Sequence, residues 1–270
     1  MPASEVRSVI EVCGVSKAFP AGDGAREVIS GLDLTISAGE FVSIVGPSGC
    51  GKSTLVSMMA GLTEASGGTI LVRGEQVRGL VPEIGFAFQR DALLPWRTAE
   101  QNVALPLRCR GIRKADALGR ARTWLERVGL GQHFGKYPHQ LSGGMRKRVA
   151  IAVMLAYEPD ILLLDEPFSA LDVQTRSLME NDLLALCADG GQSVVLITHD
   201  LEEAIVMSDR VVVMSAGPAR VIGDHRIELT GPRDVFESKS DPNFAGLYSK
   251  IWNDLRAEVQ AAGQRELAGR

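Results

Sequence analysis

Gly46-Pro47-Ser48-Gly49-Cys50-Gly51-Lys52-Ser53 brings three glycines, a lysine and a hydroxyl together in eight residues. The run follows an apolar strand-like segment, Phe41 to Val45, and leads into a helix-like one, Thr54 to Ala60. Glycines at 46, 49 and 51 let the backbone curl through φ > 0 conformations, so that successive N–H groups point inward at an anion. Lys52 adds a positive charge where the β- and γ-phosphates of a nucleotide would lie, and the Ser53 hydroxyl suits Mg²⁺. The helix that begins here contributes free N–H donors and the positive end of its dipole. The expected ligand is a nucleoside triphosphate with its metal; a plain turn with a surface lysine does not account for the strand and helix on either side.

A second concentration of chemistry lies at Ile161-Leu162-Leu163-Leu164-Asp165-Glu166-Pro167, an apolar strand that stops abruptly in two carboxylates. Open α/β sheets bind ligands at the carboxyl ends of their strands. Asp165, continuing the strand, is placed to hold Mg²⁺ through oxygen, the donor a hard cation prefers. Glu166 is left to act as general base on a water aimed at the γ-phosphorus. A third element, Leu141-Ser142-Gly143-Gly144-Met145, precedes a helix-like run from Arg146 to Ala156 and forms another glycine-softened helix start able to offer donors to a phosphate.

The elements that must position these groups follow from apolar patterning. Nearly continuous Val, Ile and Leu at 41–45, 161–164, 194–198 and 211–214 predict strands buried on both faces, hence a parallel sheet covered by helices. The first forty residues alternate short apolar runs with turn signals, the pattern of antiparallel strands. Between about Asp91 and Gln140 the character becomes helical. Thr98 and Gln101 have capping-box spacing, and Leu118, Ala121, Leu125 and Val128 recur on one helical face before Gly129. The apolar Leu93-Leu94-Pro95-Trp96 is read first as core and second as a docking surface for a partner. Asp241-Pro242 predicts the start of a terminal amphipathic helix carrying Phe244, Leu247, Ile251, Leu255 and Val259, frayed from Ala261 onward.

Composition narrows the function classes. The 270 residues suit one large domain or about two, and a net charge of −4 supplies no basic field for nucleic acid. Four cysteines, far apart, lack metal-ligand spacing and a disulfide framework; Cys50 is a small filler of the phosphate loop or an oxidation-sensitive point. No apolar stretch reaches the roughly 20 residues needed to cross a bilayer. Met1 to Ile10 lacks the pattern of a secretory leader, so a soluble chain that stays in its compartment of synthesis is expected. Arg108, Arg110, Arg113 and Lys114 are read first as a solvated helix edge and second as a contact for lipid headgroups or a partner.

Two phosphate-seeking helix starts with a helical insert between them resemble the ATP-binding cassette family, whose motifs the chain carries in order over almost its whole length. The resemblance implies an α/β P-loop NTPase core with a mixed sheet, an antiparallel β subdomain and a helical insert. It implies one cassette domain over 1–270: core and β subdomain in 1–90 and 158–225, helical subdomain in 91–157, and a helical extension in 226–270. Gly46 to Ser53, with Thr54, is similar to the family's Walker A loop; Asp165 and Glu166 close its Walker B strand; Leu141 to Met145 is the signature motif, with Met145 where glutamine is common. In the family, Ser142, Gly143 and Gly144 would complete the nucleotide site of an opposite subunit. Gln89 takes the Q-loop position, reaching Mg²⁺ or the attacking water. His199 takes that of the switch histidine on the γ-phosphate, Asp172 in Ser169 to Asp172 that of the D-loop, and Phe19 that of the aromatic stacked on adenine, with core packing as its other reading.

The cofactors implied are ATP and Mg²⁺. The partners implied are a second ATPase subunit, transmembrane permease subunits and an extracytoplasmic solute-binding protein, with the chain peripheral on the cytoplasmic face of the cell membrane. Phe88 to Thr98 and Ile251 to Leu255 look like those of bacterial importers for nitrate, sulfonates and taurine. A soluble cassette ATPase acting on DNA or ribosomes is the alternative; it expects long coiled coils or tandem cassettes with a basic linker. A P-loop kinase or GTPase leaves the signature motif without a role.

Overall fold

The computed structural model describes residues 7–22, 24–230 and 233–268. In chain order its elements are β1 (Ser8–Ala21), β2 (Gly24–Ser37), β3 (Phe41–Val45), α1 (Lys52–Met59), β4 (Gly67–Val72), β5 (Glu75–Gln76), β6 (Ile84–Ala87), α2 (Ala99–Cys109), α3 (Lys114–Arg127), α4 (Gly143–Leu155), β7 (Ile161–Asp165), α5 (Val173–Gly190), β8 (Ser193–Ile197), α6 (Leu201–Met207), β9 (Arg210–Met214), β10 (Val221–Arg226), α7 (Val235–Ser238) and α8 (Phe244–Ala268). The chain divides into two compact units, one formed by Met1–Pro82 with Gly191–Arg270 and the other by Glu83–Gly190.

In the first unit β1 and β2 make a long antiparallel hairpin, extended by β4 and β5 into a sheet of order β2-β1-β4-β5. Its apolar side chains bury at alternate positions, Ile10 and Val12 on β1 and Leu32, Leu34 and Ile36 on β2, as a half-covered sheet requires. The second sheet of this unit is mixed. β3 lies parallel to β8 on one side and to β9 on the other, and β10 adds antiparallel to β9. Every residue of β3 and β8 is buried, which is why these strands lack the alternation of β1 and β2. The short β4, β5 and β10 went unanticipated: the apolar run of β4 is only Ile70 to Val72, β5 is Glu75-Gln76, and Gly223 and charged residues interrupt β10.

α8 packs Ile251 and Leu255 into a cluster with Val45, Leu201, Ile205, Val211 and Val213, with Phe244, Leu247 and Tyr248 at its margin. The terminal amphipathic helix expected from spacing is therefore present, with Val259 on its exposed side. Two details of that expectation are corrected. Asp241 caps a preceding turn rather than the helix: its carboxylate accepts from the Thr230 and Asn243 amides, 2.7 and 2.8 Å, and α8 starts at Phe244. Helical backbone also continues through Ala268, where fraying from Ala261 onward was expected.

In the second unit β6 and β7 run parallel in the register Ile84↔Ile161 to Ala87↔Leu164. Around them, α2 and α3 pack on each other and on α4. Thr98 caps α2 as its spacing predicts, accepting from the Gln101 amide while Gln101 accepts from the Thr98 amide. α3 ends at Gly129, whose φ of 74° lets its amide reach Glu126 O while the Leu130 amide reaches Leu125 O. This double bond pattern satisfies the last carbonyls, and a glycine supplies it without Cβ strain. Among the described residues no helix is long and apolar enough to cross a membrane.

Candidate functional site: a phosphate loop and a carboxylate strand end

In the first unit β3 delivers the chain into the loop, and the loop closes on α1. Lys52 is 6% exposed, and its Nζ donates to Gly46 O at 2.8 Å and Pro47 O at 2.9 Å. The loop carbonyls hold the ammonium at the mouth of the cradle, where it can meet a phosphate. Gly51 ends the loop at φ 115°, and a Cβ there would meet Val28 Cγ1 at 2.9 Å; both the conformation and the space demand glycine. Gly46 is needed for a different reason than expected. It is not among the positive-φ residues, but a Cβ would lie 2.9 Å from Met214 O.

α1 has no side-chain cap, so its first-turn amides are offered to an anion, unlike those of α6, which Asp200 caps. Ser53 and Ser48 are exposed at this end, while Thr54 is half-buried. Cys50 is buried, and burial pushes its thiol up against the lowering effect of Lys52; this favours the filler reading. The loop's donor set and its close backbone fit a polyphosphate, with the Ser53 hydroxyl an oxygen donor of the kind Mg²⁺ takes.

Two further candidate residues of this unit stand at its surface. Phe19 is exposed and carries Lys17 Nζ 4.9 Å from its ring centroid, so the core reading does not hold. His199 is exposed between the buried end of β8 and α6. Its neighbour Thr198 is anchored, donating to Glu203 and accepting from the Asp200 amide.

In the second unit β7 carries Asp165 at its last position, and Glu166 follows at φ 46°. That left-handed backbone is costly for a residue with a Cβ and turns the chain sharply out of the strand. Gln89 Nε2 donates to Glu166 Oε2 at 3.1 Å, so two residues far apart in sequence meet. Ser169 Oγ and N both donate to Glu166 O, at 3.1 and 3.4 Å, closing the turn behind it. Asp172 caps the start of α5, where hydrogen bonds from Thr175, backbone first and then side chain, hold its carboxyl below the usual range. Ser142 caps α4 by accepting from the Met145 amide at 3.2 Å, and Gly143 and Gly144 form its first turn. A Cβ on Gly144 would press 3.0 Å against Thr175 Cγ2.

Leu93-Leu94-Pro95-Trp96 is not core. Trp96 is 70% exposed and Pro95 is exposed, while Leu93 and Leu94 are half-buried. They flank an apolar cavity of about 240 Å³ lined also by Phe88, Leu105 and Met154. Sequence reasoning passed over Asn102, which is buried and holds this loop by donating to the Leu94, Arg97 and Thr98 carbonyls and accepting from the Leu94 amide. It also passed over Asp91, Arg146 and Lys147, whose charges bind the segment after Gln89 to α4. Asp91 follows the polar Gln89-Arg90 and Lys147 stands in the basic run Arg146-Lys147-Arg148, where side chains at the surface are the ordinary expectation.

A phosphate loop between β3 and α1, on a mixed sheet with an antiparallel sheet beside it, defines a P-loop nucleotide-binding protein. The comparisons sharpen this. The model of the ABC transporter family matches residues 29–169. The chain is 43% identical over 244 residues to the taurine import ATP-binding protein TauB of Escherichia coli O157:H7, covering 88% of this chain and 95% of that one. It is 40% identical to the nitrate import ATP-binding protein NrtC of Synechococcus elongatus, covering 89% of this chain and 37% of that longer protein. Among solved structures, the dimeric ATP-binding cassette MJ0796 in a post-hydrolysis state with ADP and phosphate superposes with a TM-score of 0.73 at 32% identity, over 81% of this chain and 99% of that one. The chain belongs to the ABC transporter family and is one of its ATPases.

Proposed function

We propose that this chain is the ATP-hydrolysing subunit of an importer for a small solute of the nitrate, sulfonate or taurine type, working as a pair of copies at the cytoplasmic face of a membrane. In this reading 1–90 and 158–225 form the nucleotide-binding core with its β subdomain and 91–157 the helical subdomain bearing the signature turn, so the compact unit Glu83–Gly190 holds that subdomain together with the β7 carboxylates. The observation that carries the reading is the Gln89–Glu166 contact, 3.1 Å, on a segment that continues directly into the apolar cavity and the exposed Trp96. A residue touching the expected base thus sits on the same short segment as a surface suited to a hydrophobic partner. TauB and NrtC, both import proteins by name, and the dimeric MJ0796 support the importer and dimer assignments.

In this mechanism Lys52 and the amides of Gly49 to Ser53 hold the β- and γ-phosphates, and Phe19 stacks on the adenine. Ser53, Gln89 and Asp165 would hold Mg²⁺, which supplies charge neutralisation on the phosphate oxygens. Glu166 accepts a proton from the water that attacks the γ-phosphorus, and His199 donates to the γ-phosphate. Ser142, Gly143 and Gly144 of the partner copy contact the same phosphate, with Asp172 at the junction. ATP binds the closed pair better than the open one; hydrolysis removes that difference and the pair reopens. The permease would sit over Leu93 to Trp96, and a solute-binding protein would deliver the cargo.

Glu166→Gln tests the scheme. Turnover should fall at least about 10³-fold, in the range of a lost general base, while the variant forms dimers in ATP and Mg²⁺ on size-exclusion chromatography. A monomeric E166Q, or one that retains turnover, would sink the proposal.

A further inference from the structure

Lys147 lies five residues beyond the Ser142 cap of α4, yet it is only 5% exposed. Its Nζ donates to the backbone carbonyl of Gln89 at 2.7 Å and pairs with Asp91 Oδ1 at 3.2 Å. The other oxygen of Asp91 receives Arg146 Nε at 3.2 Å, and Arg146 Nη1 donates to Leu141 O at 2.9 Å, immediately before Ser142. One carboxylate therefore joins two consecutive residues of α4 to the segment after Gln89. Gln89 is gripped at its carbonyl by Lys147 and donates its side-chain amide to Glu166.

The physical consequence follows from burial. A buried ammonium stripped of its partners carries a heavy desolvation penalty, which favours Lys147 keeping Gln89 O and Asp91 if α4 shifts. Holding the Gln89 carbonyl fixes the peptide plane from which its side chain springs, so a tilt of α4 changes the contact between Gln89 and Glu166. The chain of contacts runs from the Ser142 turn through Arg146, Asp91 and Lys147 to Gln89 and ends on the carboxylate of Glu166, wholly within the second unit. A continuous chain of hydrogen bonds and ion pairs is a physical route along which such coupling can travel.

We propose that Lys147 is a positioning residue for hydrolysis: the Lys147–Asp91 ion pair sets the orientation of Glu166 through Gln89 and makes that orientation depend on what the Ser142–Gly144 turn contacts. This rests on the reading of Glu166 as base and of the Ser142 turn as the element that meets a partner's nucleotide. It adds a regulatory path inside one chain, by which occupancy of the turn adjusts hydrolysis at the carboxylate of the same copy.

Steady-state ATPase kinetics on the full chain test it, with Lys147→Met, Lys147→Arg, Asp91→Asn, Gln89→Ala and the double variant K147M/Q89A, each checked for folding by thermal melting. K147M should lower kcat about tenfold with KM within about twofold, because ground-state nucleotide contacts are untouched. K147R should recover most of the loss. In the Q89A background K147M should lower kcat no further, since both changes cut the same path. Multiplicative losses in the double variant, a loss confined to KM, or no rescue by arginine would overturn the proposal. Should K147M fail to fold, D91N decides: it keeps the shape and an acceptor, and an unchanged kcat would count against the clasp. E166Q run alongside separates the failures. Retained turnover in E166Q removes the underlying site reading and this inference together, whereas an inactive E166Q with additive K147M and Q89A removes the inference alone.

Discussion

Lys52 shows how a single residue can be structurally satisfied and still available. Its ammonium rests on two neutral carbonyls, which a triphosphate outcompetes by charge. Lys52→Ala should lower ATP affinity by at least about tenfold in a nucleotide-binding titration while leaving the melting temperature within a few degrees. Gly51→Ala should do the opposite kind of damage: φ 115° with a Cβ 2.9 Å from Val28 Cγ1 costs about 1–3 kcal/mol in backbone strain before any clash, readable as a lowered denaturation midpoint. The thiols give a pH test. Burial pushes Cys187 from the ordinary 9.0 to about 12 and raises Cys50, whereas Cys13 and Cys109 are exposed. The thiolate is the reactive form, so alkylation mapped by mass spectrometry at pH 8 should mark Cys13 and Cys109 well before Cys50, and Cys187 last. Because folding favours the neutral Cys187 thiol, its stabilisation is complete below pH 9.0 and is lost as pH rises towards about 12.

At the scale of the element, the segment from Gln89 to Thr98 has no regular structure of its own and is held by side chains from two helices. Asn102 on α2 satisfies three carbonyls and one amide, so removing it strands buried polar groups worth about 1–3 kcal/mol each. Asn102→Ala should speed amide exchange at Leu94 and lower stability, with ATP affinity at the Lys52 loop unchanged. The capping box at Thr98 was readable because its two partners are three residues apart, and local spacing alone brings them together. Asn102, Asp91 and Lys147 were not readable, because each meets a partner chosen by packing. Trp96 illustrates the same limit in reverse: apolar residue types announce burial, and only the fold shows this one standing in solvent at 70% exposure.

For the whole molecule, the expected site residues are split between the two units: Gly46–Thr54, Phe19 and His199 in the first, Gln89, Asp165, Glu166, Asp172 and the Ser142 turn in the second. The chain leaves the first unit at Pro82 and returns at Gly191, so neither unit holds the whole set. In the first unit α8 closes the core behind β3 and β9 through Ile251, which is 0% exposed. Ile251→Ala should cost about 2–5 kcal/mol of unfolding free energy by transfer and cavity terms, measurable by urea denaturation, and should lower turnover only as far as the folded fraction falls.

The sequence by itself determined the loop from Gly46 to Ser53, the carboxylates after Leu164, the buried parallel strands and the amphipathic α8, because each is written in neighbours along the chain: glycine spacing, apolar continuity, helical periodicity. Only the tertiary structure decided that Gln89 touches Glu166, that Gly46 is required by Met214, that Trp96 is outside, and that Lys147 is buried against Gln89 and Asp91. Those facts depend on which strand lies beside which and how deeply a helix seats, quantities set by the sum of many weak packing contacts rather than by any local run of residues.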